Sequence, residues 1–129
     1  MPIGVQLANP DRKVVALVGD GSAMYTISAL WTAAHHDLPI VWVILNNRSY
    51  RVLKENARSG ERGSGIAQRL VGADLIDPEL DFVALANGMG VQAHRVSRPE
   101  DIGDVFRTAL AADRPVLIDL SISGVLSPN

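Results

Sequence analysis

The chain has 129 residues, which predicts one domain without a separate substrate-binding or regulatory module. Hydrophobic residues make up 47% of the chain and charged residues 20%, so the composition is that of a packed globular protein and excludes a disordered or fibrous one. The net charge of -2 gives no overall attraction to nucleic acid or to an anionic membrane, and the absence of cysteine excludes thiol catalysis, disulfides and thiolate zinc sites.

Runs of apolar, β-branched residues without polar alternation predict strands that are buried on both faces, as in a parallel sheet. Such runs cover residues 14–18, 40–45 and 116–120, and a weaker strand is expected at 91–96. An amphipathic helix is predicted over residues 24–35, because apolar side chains recur there at spacings of three and four. Its apolar stripe consists of Ile27, Leu30, Trp31 and Ala34.

Two further helices are predicted in the second half of the chain. A short one begins after Asp81 and ends at Asn87 and Gly88, where glycine can take the left-handed conformation that ends helices. A longer one begins at Ser97 as N-cap, with Glu100 three residues on. Its apolar stripe consists of Ile102, Val105, Phe106 and Leu110.

The alternation of strands and helices predicts an α/β domain of three α/β/α layers around a mainly parallel sheet. Residues 58–77 interrupt the pattern and are interpreted as a mobile loop, since residues 59–65 contain three glycines. The longest apolar run has six residues, far short of the roughly 20 of a membrane-spanning helix. The first residues do not have the pattern of a signal peptide, and we expect a cytoplasmic protein.

Two turns at the carboxyl ends of predicted strands carry the candidate functional residues, because ligands of open parallel sheets bind there. Residues 19–22 read Gly-Asp-Gly-Ser, where the glycines allow close backbone approach and Ser22 can cap the next helix. Residues 46–50 read Asn-Asn-Arg-Ser-Tyr, whose amide and carbonyl oxygens suit a hard cation.

Asp20 and Asn47 converge if the two strands are neighbours. One carboxylate, one amide oxygen and one main-chain carbonyl are too few for a Ca²⁺ cage. They match Mg²⁺, which usually takes some of its six oxygen ligands from phosphate groups. The pair therefore predicts Mg²⁺ bridging to a phosphorylated ligand. The alternative is that Gly-Asp-Gly is only a turn and Asn-Asn only a loop.

These segments together resemble the thiamine diphosphate motif of the 2-oxo acid decarboxylase and acetolactate synthase superfamily, and the benzoylformate decarboxylases most of all. The similarity rests on residues 19–22, on Ile-Ser-Ala-Leu-Trp-Thr-Ala-Ala at 27–34 and on Asn-Asn at 46–47, and it extends over nearly the whole chain. It implies a thiamine diphosphate-binding fold over residues 1–129, incomplete relative to the family domain, without the family's pyrimidine-binding and central domains.

The resemblance also implies a role for each residue of the two turns. The implied protein ligands of Mg²⁺ are the Asp20 carboxylate, the Asn47 side chain and the Ser49 main-chain carbonyl. The implied diphosphate contacts are Gly21, Ser22 and Tyr50, and the residues that shape the turns are Gly19 and Asn46. On this interpretation, Asp20→Ala abolishes Mg²⁺-dependent cofactor binding and leaves the fold intact.

Two positions next to the motif bear on affinity and substrate class. The family often has Gly or Thr after the tyrosine, whereas Arg51 here either adds a diphosphate contact or crowds the cleft. Pyruvate decarboxylases have a glutamate that handles protons at the position of Leu53. In having leucine there, this chain resembles the benzoylformate decarboxylases. An apolar wall at this point favours an aromatic or branched 2-oxo acid over pyruvate, with acetolactate-type carboligation as the alternative.

The family's active site forms between a diphosphate-binding domain and a pyrimidine-binding domain of a second subunit, so this chain resembles half of a site. We therefore expect a 2-oxo acid substrate only together with a complementary pyrimidine-binding domain, no turnover by the chain alone, and a homo-oligomer. Two other classes stay open: a non-catalytic, truncated cofactor-binding fragment, and an unrelated Mg²⁺-phosphate binder, although neither G-x-G-x-x-G nor a P-loop is present.

The remaining polar residues carry weaker signals. His35 and His36 are interpreted as surface residues at a helix end. Asp119 is unusual within a buried run, and the sequence assigns it no role. Six basic residues within 22 positions lack interleaved aromatic residues beyond Tyr50, so no nucleic-acid partner is predicted. These six are Arg48, Arg51, Lys54, Arg58, Arg62 and Arg69.

Overall fold

A computed structural model describes residues 2–60 and 72–123 and shows a central four-stranded sheet. Its strands are β1 (Val15–Gly19), β2 (Val41–Asn46), β3 (Gln92–Val96) and β4 (Val116–Ser121). All neighbouring strands are parallel, and their order is β1-β2-β4-β3, so the last strand returns between β2 and β3. The predicted α/β class is confirmed, and the strand ends agree with the sequence pattern within one residue.

Within the described ranges, six α-helices connect and cover the strands. They are α1 (Pro2–Ala8), α2 (Asp20–Ala23), α3 (Ala29–His35), α4 (Arg51–Gly60), α5 (Phe82–Gly88) and α6 (Ile102–Ala111). The helix predicted over residues 24–35 is confirmed only at residues 29–35, which form α3, because turns at residues 24–28 separate α2 from α3. None of these helices has the length and apolarity needed to cross a bilayer.

The two faces of the sheet are covered by different helices, which gives the three predicted layers. On one face, α3 and α5 pack against alternate residues of β2 and β4 in a cluster that includes Leu30, Ala33, Trp42, Ile44, Phe82, Ala86 and Leu117. On the other face, α6 packs against the residues between them, in a cluster that includes Val41, Val43, Ala109, Val116 and Ile118. The strands β2 and β4 are therefore buried on both faces, as predicted.

The edge strand β1 does not follow that prediction. Leu17 is 69% exposed and Val15 is 38% exposed. Both pair in register with β2 residues of the α6 face, Val43 and Val41, so they point to the same side of the sheet. The described residues leave this part of the sheet uncovered.

The apolar stripes predicted for the helix at 24–35 and for the helix after Ser97 are only partly buried. Leu30 is fully buried, but Trp31 is 55% exposed and stacks on the His35 ring with centroids 4.7 Å apart. In α6, Ile102 and Leu110 are exposed, while the buried contact comes from Ala109 with Val105 and Phe106 beside it. The apolar spacing located the helices but not every buried position.

The predicted helix ends are partly confirmed. Asp81 caps α5, since its side chain accepts a hydrogen bond from the Ala84 amide nitrogen at 3.1 Å. Ser97 does not cap α6, because a 3-10 turn at Pro99–Asp101 precedes that helix. The left-handed residue after α5 is Gly90, at φ 78°, rather than Gly88.

The predicted mobile loop at 58–77 falls largely on residues 61–71, which lie outside the described residues. At its start the prediction is wrong, because α4 continues through residue 60. At its end, Ser49 and Asp74 form an antiparallel bridge. The chain after residue 71 is thus tied to the turn that follows β2.

Candidate functional site

The two turns of the sequence motif lie side by side, because β1 and β2 are parallel neighbours with Gly19 in register with Leu45. A cavity of about 340 Å³ lies between the turns. Seven of the eight predicted cofactor residues line it, and the exception is Asn46. The wall is completed by Tyr25, Arg51, Val52 and Leu53.

Asp20 is the buried charge of this cavity. Its carboxylate is 3% exposed and accepts three main-chain hydrogen bonds, from Gly21 to Oδ1 at 2.8 Å and from Asn47 and Ser49 to Oδ2 at 3.1 and 3.2 Å. A carboxylate has about four lone-pair positions, so one is left. In the described part of the chain, no Lys or Arg forms an ion pair with it.

Asn47 provides the second polar group. Its side-chain oxygen Oδ1 is buried and has no hydrogen-bond partner among the described residues. A buried acceptor without a donor is costly and calls for a cation or a donor from outside the described chain. The Asn47 amide nitrogen donates a hydrogen bond to the Asp20 carboxylate. The buried carboxylate of Asp20 and the unpartnered side-chain oxygen of Asn47 therefore lie next to each other, where β1 and β2 end.

Main-chain bonds to residues 73–75 fix the segment that follows. The Tyr50 amide nitrogen donates to the Ala73 carbonyl at 2.8 Å, and Arg48 accepts from the Leu75 amide nitrogen at 2.8 Å. The Ser49 hydroxyl also donates to the Ala73 carbonyl, at 3.0 Å. None of these bonds uses the Ser49 carbonyl, which is the third predicted Mg²⁺ ligand.

Gly21 is required by the close approach of Tyr50. A Cβ atom on residue 21 would lie 2.4 Å from Cε1 of the tyrosine ring, inside van der Waals contact. Ser22 lies within α2 and is exposed on the cavity wall, so the prediction that it caps a helix is wrong. The residue in the N-cap position is Gly19.

Asn46 points away from this cavity. Its Nδ2 donates to Oδ1 of the fully buried Asp119 at 2.9 Å, and its Oδ1 accepts from the Arg48 amide nitrogen at 3.2 Å. Together with Arg48, Asp81 and Arg95 it lines a second, polar cavity of about 510 Å³ at the ends of β2, β3 and β4. Sequence reasoning gave Asn46 a turn-shaping role and did not connect it to Asp119.

A charged network surrounds Asp119. Arg95 donates from Nε to Oδ2 of Asp119 at 3.0 Å and from a terminal nitrogen to Oδ1 of Asp81 at 2.8 Å. The Asp119 hydrogen bond raises the pKa of Arg95 above its usual value. The Ala84 amide, followed by the Arg95 charge, lowers the pKa of Asp81 below its usual value. The one sequence signal for this network was a charged residue inside an apolar strand.

The basic residues of the sequence cluster are paired with carboxylates wherever their side chains are described. Arg48 pairs with Glu79 at 3.2 Å and Arg51 with Glu55 at 2.8 Å. Lys54 pairs with Asp74. The other three members of the cluster have side chains outside the part of the chain that the structure describes; they are Arg58, Arg62 and Arg69. The described part of the cluster therefore does not present a row of free cations.

Fold and site together define a cofactor-binding α/β domain with its ligand cleft at the carboxyl ends of parallel strands. Residues 1–120 match the family model "Thiamine pyrophosphate enzyme, C-terminal TPP binding domain". The chain belongs to this family, which confirms the resemblance drawn from the motif residues.

Individual relatives agree with the family match. Benzoylformate decarboxylase of Pseudomonas aeruginosa is 42% identical over 118 residues, which cover 92% of this chain and 21% of that protein. A Mycobacterium tuberculosis protein named as an acetolactate synthase large subunit, IlvX, is 41% identical over 127 residues, covering 96% and 24%. The structure of a thiamine diphosphate-dependent 4-hydroxybenzoylformate decarboxylase from Rhodococcus jostii RHA1 matches with a TM-score of 0.85 at 43% identity, covering 98% and 23%.

The chain spans about a quarter or less of the length of these relatives. It corresponds to one domain of thiamine diphosphate-dependent decarboxylases and acetolactate synthases.

Proposed function

We propose that this chain binds thiamine diphosphate through Mg²⁺, as the diphosphate-binding domain of a 2-oxo acid decarboxylase of the benzoylformate type. The observation that carries the proposal is the unpartnered, buried Oδ1 of Asn47 beside the buried carboxylate of Asp20. One domain over residues 1–129 supplies this half of the site. The pyrimidine-binding domain would come from elsewhere in the protein or from a second subunit.

The donor set fits Mg²⁺. Asp20 keeps one lone-pair position after its three main-chain bonds, and Asn47 offers a neutral oxygen that no described donor uses. The Ser49 carbonyl adds a third hard ligand on the same turn. Because three protein oxygens leave an octahedral ion short of ligands, diphosphate oxygens and water would complete the shell.

The negative charge of the buried Asp20 carboxylate also supports a bound cation. A carboxylate removed from water is costly unless a counter-charge stabilises it, and Asp20 has no such partner within the described residues. A bound divalent cation would supply that counter-charge. Gly21 and Tyr50 would form the wall against which the diphosphate lies, together with the exposed hydroxyl of Ser22.

Thiamine diphosphate supplies the electron sink that loss of CO₂ from a 2-oxo acid requires. The residues of this chain would contribute orientation and electrostatics, since Asp20 and Asn47 would anchor the diphosphate end of the cofactor through Mg²⁺. The described residues of the cavity offer no histidine for proton transfer. We therefore expect catalysis only together with a pyrimidine-binding domain.

The cavity mouth supports an aromatic or branched substrate. Tyr25, Val52 and Leu53 line it and are between 54% and 79% exposed. An apolar wall there gains about 0.8 kcal/mol for each buried methylene of a ligand, whereas leucine cannot exchange a proton with a small polar acid. These side chains favour benzoylformate-like acids over pyruvate.

A second candidate is an acetolactate synthase-type carboligase. It is favoured by the 41% identity to the Mycobacterium tuberculosis protein, a value close to that of the benzoylformate decarboxylase. Both candidates share the cofactor and the Mg²⁺ site, so they differ in the acceptor that follows decarboxylation and not in the residues argued above.

Asn47→Leu tests the Mg²⁺ site directly. Titration calorimetry of thiamine diphosphate into the 129-residue chain should show Mg²⁺-dependent binding that the variant weakens at least about tenfold, or 1.4 kcal/mol. Replacing an unpartnered buried oxygen by a methyl group of similar shape should leave the melting temperature unchanged or raise it. Asp20→Ala is less clean, because it also leaves three amide nitrogens without their acceptor.

The matched control is Asn87→Leu, the same substitution at an exposed position of α5 outside the cavity. It should leave cofactor affinity unchanged. A parent chain that binds thiamine diphosphate equally with Mg²⁺ and with a chelator would contradict the proposal, and so would an Asn47→Leu variant with parental affinity.

A further inference from the structure

We propose that Asp119 is a positioning residue for the Mg²⁺ site: through Asn46 it fixes the turn at residues 46–49 that carries the proposed metal ligands. The inference rests on the proposed function and adds a residue from a different strand to that site. Asp119 itself does not line the cofactor cavity, so it acts through Asn46.

Asp119 is completely buried. The residue lies in the middle of the sheet, paired in register with Ile44 of β2 and Arg95 of β3. Its two oxygens have different partners: Oδ2 accepts from Arg95, and Oδ1 accepts from Asn46 Nδ2 at 2.9 Å. The guanidinium thus supplies the counter-charge and leaves Oδ1 for the turn.

The bond to Asp119 fixes the orientation of the Asn46 side-chain amide. A carboxylate only accepts hydrogen bonds, so Asn46 must turn its NH₂ group toward Asp119. Its oxygen must then point the opposite way, where it accepts from the Arg48 amide nitrogen at 3.2 Å. A neutral acceptor-donor group at position 119 would permit either orientation of the Asn46 amide, and the reversed one would place two donors together.

The turn at residues 46–49 is strained at Arg48. Arg48 has φ 58°, in the left-handed region that costs a non-glycine residue free energy, so the surrounding contacts must hold it there. On one side Asn46 accepts from Arg48, and on the other the Asn47 and Ser49 amides donate to Asp20. Two buried carboxylates, Asp20 at the start of α2 and Asp119 within β4, therefore hold the segment whose oxygens would face the metal.

Asp119→Asn tests the proposal, since it keeps size and shape and removes the acceptor-only character. In the chain without cofactor, hydrogen exchange measured by NMR at the Arg48 amide should become about tenfold faster. Mg²⁺-dependent affinity for thiamine diphosphate should fall about 10- to 100-fold, the range found when the partners of metal ligands are removed.

Ile118→Val is the matched control, because it lies next to Asp119 on β4 but packs on the opposite face of the sheet. It lowers stability without touching the polar chain and should change neither the Arg48 exchange rate nor the affinity. If Ile118→Val and Asp119→Asn alter both readouts equally, Asp119 has only a general structural role and the proposal is overturned.

A measurement on the parent chain keeps the test decisive if Asp119→Asn does not fold. The side-chain NH₂ protons of Asn46 should exchange more slowly than those of the exposed Asn87. Equal exchange at the two side chains would refute the orientation on which the inference depends.

The outcomes separate the two proposals. If the parent binds Mg²⁺-thiamine diphosphate and Asp119→Asn binds it equally well, the positioning role is wrong and the proposed function stands. If the parent binds no cofactor, the proposed function is wrong, and with it the link from Asp119 to the cofactor. The exchange data then still decide whether Asp119 orders the turn.

Discussion

Two aspartates are buried near the turn that follows β2, Asp20 directly after β1 and Asp119 within β4, and their carboxylates are stabilised in different ways. Asp119 is 0% exposed and has a guanidinium and an amide as partners. Asp20 is 3% exposed, and its partners among the described residues are all main-chain nitrogens. Both contact the turn after β2, one from each side.

The difference separates a structural charge from a charge available to a ligand. An ion pair satisfies a buried carboxylate within the protein, whereas neutral amides stabilise it by hydrogen bonds and leave its charge uncompensated. The cavity next to Asp20 is accordingly the place where a cation gains most, and the network around Asp119 is a support for it. Three substitutions test this difference between the two carboxylates.

The largest expected effect comes from Arg95→Met, which removes the counter-charge of Asp119 and keeps a long apolar stem. Breaking a fully buried pair costs about 3–5 kcal/mol, and the 49% exposure of Arg95 reduces this to about 2–3 kcal/mol. Urea unfolding at neutral pH measures the loss.

The control is Arg114→Met, whose pair with Asp37 is more than two-thirds exposed on both sides. It should change the free energy of unfolding by less than about 1 kcal/mol. Equal losses for the two variants would mean that Asp119 does not depend on its counter-charge, and the contrast with Asp20 would disappear.

Much of this arrangement follows from the sequence. The convergence of Asp20 and Asn47 needed only two predicted strands joined by a helical crossover, because such strands pair in parallel and end at the same edge. Runs of six and five mainly apolar residues, at 40–45 and 116–120, were sufficient to locate β2 and β4 within one residue. The helices α1 and α4 were missed, since their stabilising contacts involve polar groups that periodicity does not register.

Gln6 illustrates the first omission: its side chain is 2% exposed, donates to the Asn9 and Arg12 carbonyls and accepts from the Val14 amide. A buried glutamine in a seven-residue helix gives no apolar stripe. In the site, the contact between Asn46 and Asp119 spans 73 residues. It exists only because β4 inserts between β2 and β3, an order that local patterns do not determine.

A smaller effect is expected from Asp81→Asn, which tests the outer part of the Asp119 network. Asparagine caps helices about as well as aspartate, so the α5 cap to Ala84 is kept and the charge facing Arg95 is lost. Because the folded protein lowers the pKa of Asp81 below 3.8, the parent should be the more stable protein above that pH.

The advantage of the parent should shrink as the pH falls from about 4 through the lower folded-state pKa and vanish below it, since both proteins are then neutral at position 81. Urea unfolding of parent and variant between pH 2 and pH 6 measures the difference. A gap that stays constant across this range would show that Asp81 contributes through its shape and not through its charge.

The smallest effect is expected from Arg48→Gly, and it tests whether the turn is held from both sides. Glycine adopts φ 58° without the Cβ clash, which favours the folded state by about 1 kcal/mol, but it also gains freedom in the unfolded chain. The exposed pair with Glu79 contributes little. We expect a net rise of less than about 0.5 kcal/mol in the free energy of unfolding, measured in urea, and no such rise for Arg48→Ala, which keeps Cβ and with it the clash. In the Asp119→Asn background the benefit of Arg48→Gly should grow, because a turn that has lost one of its two supports depends more on the intrinsic preference of the residue at its strained position. An identical gain in both backgrounds would mean that Asp119 does not bear on the conformation of Arg48.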